Sequence, residues 1–235
     1  MEPSVIEVPV EHVTAKPVRR RRAKGEKSRQ TILDAALVSI AKLGLHNVTH
    51  RVIAAEADVP LSLTTYFFKS LTDLIEQAFD HFTAQVESDH ERVFKAMADY
   101  LAQYAPQQFN DESVRTAIKL NFTDILTDFL TSITIEHPTG IAVELNFLYL
   151  YRLEPALRVK AEAHRARLVS SIASILRPLS TDAAQAEIDA ELVLCIMHRL
   201  EFDCLNSANT MSTDRLRTHV GRQISHIIDM TRSTA

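Results

Sequence analysis

Glycine is scarce: Gly25, Gly44, Gly140 and Gly221 are the only four in 235 residues, where average usage of about 7% would give roughly sixteen. No Gly-rich phosphate cradle of the P-loop or dinucleotide type can be assembled from them. Cysteine is rarer still. Cys195 and Cys204 stand nine apart in a helical pattern, which makes neither a CxxC pair nor a disulfide framework, so a reducing cytoplasm is the expected setting. Apolar runs fall far short of the ~18 residues of a membrane span, and no signal-peptide h-region opens the sequence. No membrane partner is expected. Strand-like alternation is also missing, since no segment changes polarity convincingly at period two.

What is present is apolar content of 46%, enough for one sizeable core or two modest ones, and an uneven distribution of charge. The net charge of −4 conceals a start that is strongly basic, with eight Lys or Arg against Glu26 between Lys16 and Arg29. From residue 72 onward acids exceed bases by eight. A basic end on an acidic body points to a polyanion-binding segment joined to something with no use for nucleic acid.

Residues 1–26, with Arg19-Arg20-Arg21-Arg22 and no apolar periodicity, read as a disordered basic arm. From Lys27 the spacing of Ile32, Leu33, Ala36, Leu37, Ile40 and Leu43 predicts a helix closed by Gly44. A two-turn helix with Val52, Ile53, Ala54 and Ala57 ends at Asp58, and another runs from Leu61 to about Phe67. Ser70 with Asp73 is a capping-box signature for a long fourth helix, whose first unavoidable break is Pro106. Further helices are expected over Asn110 to Ile135, from Pro138, and over Pro155 to Leu176, Thr181 to Asn206 and Ser212 to Met230. The fold class is all-α.

Two short helices joined by a tight turn behind a basic arm have the geometry of a helix-turn-helix, whose second helix enters the major groove. Asp58 stands where the backbone should turn left-handed, and Val59 with Phe68 should plug the small three-helix core. Over Lys27 to Phe79 the sequence resembles the TetR family of transcriptional regulators. The matching residues are Gly44, Thr49-His50-Arg51-Val52-Ile53-Ala54-Ala55-Glu56-Ala57-Asp58-Val59, Leu61-Ser62-Leu63-Thr64-Thr65-Tyr66-Phe67-Phe68, Ser70 and Leu74. Three positions depart from the family: Asp58 replaces a turn glycine, Thr65 a phosphate-touching tyrosine, and Leu71 a common lysine.

The resemblance and groove chemistry together assign DNA contacts to Thr49, Arg51, Leu61, Ser62, Leu63, Thr64, Thr65, Tyr66 and Lys69. Arginine suits bidentate contact with guanine, hydroxyls bond either base type, and Tyr66 and Lys69 would grip phosphates. Arg19, Arg20, Arg21 and Arg22 would add sequence-independent affinity. The expected organisation is an arm over 1–26, a helix-turn-helix domain over 27–71, and a helical ligand-binding and dimerisation domain over 72–235.

By the same resemblance the last two long helices form a homodimer and a small-molecule pocket lies among the middle ones. The apolar segment Leu192 to Met197 fits a helix covered on two sides. Candidate pocket residues are Asn121, Phe122, Phe147, Tyr151, His198 and Phe202. An alternative places His198, Arg199, Glu201 and Asp203 in a surface ion network. The implied function is an operator-binding repressor, not an enzyme, that releases double-stranded DNA when an effector binds. Two other readings are a constitutive regulator without ligand and a helical-bundle metalloenzyme. The second suffers because Glu87-Ser-Asp-His90 is a lone Glu-x-x-His pair, and His198-Arg-Leu-Glu201 lacks a matching helix with inward acids. No metal site and no cofactor are expected.

Overall fold

Proline, glycine and hydroxyl side chains mark most of the helix ends, and the described residues contain no strand. The computed structural model describes residues 17–136, 138–149, 155–180, 182–206 and 211–230. Among these, nine α-helices follow in order: α1 (Pro17–Leu43), α2 (His50–Glu56), α3 (Leu61–Phe67), α4 (Leu71–Leu101), α5 (Glu112–Glu136), α6 (Pro138–Tyr149), α7 (Pro155–Leu176), α8 (Ala183–Asn206) and α9 (Thr213–Met230). None is long and apolar enough to cross a membrane.

Two boundaries differ from expectation. Helix α1 starts at Pro17 rather than Lys27, so residues 17–26 are helical and Arg19, Arg20, Arg21 and Arg22 sit on α1 instead of a loose arm. Proline is favoured at the first helical position, arginine, lysine and alanine are good helix formers, and Gly25 costs only about 1 kcal/mol relative to alanine. Apolar periodicity marks burial, and this stretch is helical without it. Residues 1–16 lie outside the described residues. Helix α4 stops at Leu101, before Pro106, and Ala105 is already extended at ψ 149°, because the residue preceding a proline is driven out of the helical region.

The chain buries two apolar cores, and they do not divide at residue 72. The first joins Ile32, Leu33 and Ile40 of α1, Ile53 of α2, Phe68, and Leu74, Phe79 and Phe82 of α4 with Val143 and Phe147 of α6 and Leu157 of α7. The second gathers the far end of α4 with α5, α7, α8 and α9, including Met97, Phe122, Leu176, Val193 and Ile224. Helix α4, 31 residues and roughly 46 Å at 1.5 Å per residue, belongs to both. Helix α7 also belongs to both, through Leu157 and Ala161 in the first core and Ala173, Ile175 and Leu176 in the second.

Candidate nucleic-acid interface and buried cavity

The turn between α2 and α3 is built by local chemistry. Thr49 caps α2 by accepting a hydrogen bond from the Val52 N–H at 3.2 Å. Asp58 adopts φ +51°, the left-handed conformation that the sequence suggested. Phe68 is buried beneath the turn and Val59 packs partly against the same core. Ser70 then caps α4 by accepting from the Asp73 N–H at 3.0 Å, and the Asp73 carboxylate accepts from the Lys69 N–H at 2.8 Å. Hydrogen bonds from Gln77 and that backbone N–H hold the Asp73 carboxyl below the usual range.

These constraints leave one side of α2–α3 open. Arg51, Leu61, Ser62, Thr65, Tyr66 and Lys69 are exposed, with Tyr66 at 78%. Three residues assigned to DNA are engaged within the chain. Thr64 is wholly buried, donating from Oγ1 to the Leu61 carbonyl at 2.8 Å and lying 3.2 Å from His50 Nδ1. Its position, one turn before the buried Phe68, puts it on the inner face of α3. Leu63 is half-buried against the first core, and the Thr49 hydroxyl is occupied as a cap. Nothing is described of the Arg19 to Arg22 side chains.

Between the middle helices lies a narrow, partly open cavity of about 70 Å³ whose walls are almost wholly apolar, among them Phe94, Phe122, Phe129 and Ile227. One corner is polar. His90 of α4, Glu144 of α6, and His198 and Glu201 of α8 face it. His164 of α7 lies behind, its Nε2 3.4 Å from Glu144 Oε1, and His198 Nε2 approaches the same oxygen at 3.6 Å.

Burial acts differently on each group in that corner. It would raise the Glu144 carboxyl, but the two imidazole edges aimed at it outweigh that and hold it well below the carboxylate range. Glu201 has less relief: burial and the Glu144 charge outweigh the neighbouring His198 and push it up to about 8. Burial depresses His90. It also works against charge on His198, where the neighbouring Glu144 and Glu201 more than offset it and leave the imidazole raised.

The six pocket candidates separate. Phe122 and His198 line the cavity. Phe147 instead packs on Phe79 in the first core, ring centroids 4.5 Å apart. Asn121 does not reach the cavity, whereas Phe202, with the Arg199 guanidinium 5.6 Å from its ring, lines with His198, Leu145 and Asn146 a second, open pocket of about 670 Å³ on the outer side of α8. Tyr151 lies outside the described residues. Of the suggested surface ion network, only Arg199 and Asp203 pair near the surface, at 2.8 Å; His198 and Glu201 are buried. The inward acid that the sequence reading missed opposite His198-Arg-Leu-Glu201 is Glu144. A lone carboxylate inside the apolar run Ile141 to Phe147 was its only local signal.

Helix α6 connects this corner to the α2–α3 unit. Asn146, two residues beyond Glu144, accepts a hydrogen bond from the Leu45 N–H at 3.4 Å, just past the end of α1. On the same side Lys160 of α7 pairs with Asp80 of α4 at 2.7 Å, and the His164 ring meets Phe79 edge-on at 6.0 Å.

By sequence, no protein-family model and no curated protein matches the chain. By structure, many solved chains do. A transcriptional regulator from Rhodococcus sp. Rha1 is similar with a TM-score of 0.62 at 15% identity, over 86% of this chain and 97% of that one. A TetR-family member from Streptomyces coelicolor A3 gives a TM-score of 0.54 at 22% identity, over 84% and 98%. A multidrug-binding protein, EbrR, crystallised with imidazole, gives 0.52 at 22%, over 92% and 97%. The fold is that of the TetR-type regulators.

Proposed function

We propose that this chain is a TetR-family transcriptional regulator: a cytoplasmic homodimer that binds a roughly two-fold DNA site through α2–α3 and acts as a repressor released by an effector in the middle-helix cavity. The observation that carries the reading is the pairing of a capped α2–α3 turn, with Ser62, Thr65 and Tyr66 exposed, with a cavity lined in part by α4, the helix that follows α3. Hydroxyls near the N-terminus of a groove helix can bond either base type, and Arg51 can reach a guanine edge or a phosphate.

Dimerisation is supported by the outward face of α8. Ile188 and Leu192 are more than half exposed, and Phe202 continues their line at helical spacing. Half-buried Ile196 borders this strip, whereas Leu200 is buried within its own chain. A second copy covering the strip would remove an apolar patch that monomers rarely leave in water. A two-fold dimer presents two copies of α3, and shifting α4 or α6 by a few Å changes their spacing. To empty the operator, an effector must prefer the non-binding arrangement by several kcal/mol.

The cavity limits the effector's size. About 70 Å³ holds a few waters or a very small ligand, against the 300–1,000 Å³ typical of drug-sized sites. An effector is therefore small, or enters as the helices part. Selecting duplexes from a random pool with the purified full-length chain tests the function: the expected result is enrichment of a palindromic site with half-sites about one helical turn apart. Recovery of unenriched sequence would overturn it.

A further inference from the structure

We propose that Glu144, His198 and Glu201 form a binding site for a divalent first-row metal ion of the Zn²⁺ class at the polar corner of the cavity, with His164 as the residue that positions Glu144. This site is independent of the DNA-binding reading.

The spacing carries the proposal. One ligand atom from each of the three residues lies within 4.8 Å of the other two. Two donors each about 2.0–2.2 Å from a tetrahedral ion stand roughly 3.3–3.6 Å apart. A charge-assisted hydrogen bond between imidazole and carboxylate would instead close to about 2.7–2.9 Å. Glu144 Oε1 and His198 Nε2 are 3.6 Å apart, which matches an edge of a coordination tetrahedron. His198 and Glu201 are one turn apart on α8 and share a face, while Glu144 reaches them from α6.

The unsatisfied atoms give a second, independent indication. Glu201 Oε2 is buried without a hydrogen-bond partner, and Glu144 Oε1 meets His164 Nε2 and His198 Nε2 only at 3.4 and 3.6 Å, too long for strong hydrogen bonds. A metal ion bound among these three donor atoms, which lie within 4.8 Å of one another, would satisfy the buried oxygens and compensate the carboxylates more fully than the His198 imidazole alone does. His164 Nε2 faces the same Glu144 Oε1 at 3.4 Å from the side of α7 but is not among the donors that lie within 4.8 Å of one another, which places it to orient the carboxylate rather than to bind the ion. The fourth position opens on the cavity, where one water needs only about 10–15 Å³.

The donor set selects the metal class. One imidazole and two carboxylates suit Zn²⁺ and neighbouring first-row ions. Mg²⁺ keeps several waters in an octahedron and Ca²⁺ takes six to eight oxygens, neither of which these apolar walls provide.

The test uses full-length protein without an affinity tag, treated with chelator and titrated with Co²⁺. One equivalent per chain is expected, with the intense visible absorption of four-coordinate Co²⁺, displaced by Zn²⁺. Glu201→Gln and His198→Gln, verified as folded by circular dichroism, should each lose that absorption. His164→Ala should keep it with about 10–100-fold weaker affinity. Independently of any variant, Zn²⁺ must raise the melting temperature of the wild-type chain, because an ion held only by the folded state stabilises it. The proposal is overturned if folded wild type shows no four-coordinate Co²⁺ signal or no Zn²⁺-dependent melting shift. It is equally overturned if the signal survives both glutamine variants, which would assign the ion to exposed histidines such as His219 and His226.

Discussion

The α2–α3 turn and the cavity corner handle polar groups in opposite ways. Around the turn each of Thr49, Thr64 and Ser70 has a local hydrogen bond within four residues, Thr49 and Ser70 capping helices and Thr64 bonding back to the Leu61 carbonyl within α3. In the corner, Glu144, His164 and Glu201 have buried atoms left without one, and the three residues come from three different helices. The first region is stabilised by its polar side chains. The second holds polar side chains at a cost to stability, as functional sites commonly do.

Substitutions break or sharpen that contrast. The largest effect is expected where the two regions are joined: Phe147→Ala removes an aromatic ring packed on Phe79 and should cost about 3–5 kcal/mol in urea denaturation. A single shared transition is expected, since α4, α6 and α7 contribute to the first core. Two separate transitions would show that the regions fold independently. Next, Glu201→Leu should stabilise the metal-free protein by about 1–3 kcal/mol, because it removes a buried acid with a carboxyl oxygen left unpartnered. A loss of stability would mean the corner is already satisfied. Thr64→Val and Ser70→Ala should go the other way by about 1 kcal/mol each, one losing a buried hydrogen bond and the other a helix cap.

The smallest stability effect is expected on α1. Replacing Arg19, Arg20, Arg21 and Arg22 with glutamine should leave stability within about 0.5 kcal/mol, yet flatten the dependence of DNA affinity on salt. An unchanged slope would remove these residues from the interface.

The same contrast explains what the sequence disclosed. Helix ends at Gly44, Pro155 and Asn206 and the left-handed Asp58 were readable because they depend on residues within a few positions of one another. The all-α class was readable for the same reason. The first ten residues of α1 were not, because their helicity comes from propensity without an apolar face. Thr64 was misplaced because a groove helix has an inner face as well as an outer one, and a single hydroxyl fits either. The cavity corner was the least readable. Glu144 and His198 are far apart in the chain and meet only because α6 packs on α8. No period or motif relates them.

The central claim is that the exposed face of α3 and the start of α2 read DNA. The most direct measurement is a fluorescence-anisotropy titration of the selected duplex with wild type, Arg51→Ala and Tyr66→Ala, alongside a thermal melt of each. Both residues are exposed, so both variants should melt within a degree or two of wild type while binding at least about tenfold more weakly, the loss of roughly 1–3 kcal/mol expected for a good base or phosphate contact. Wild-type affinity in both folded variants would contradict the account.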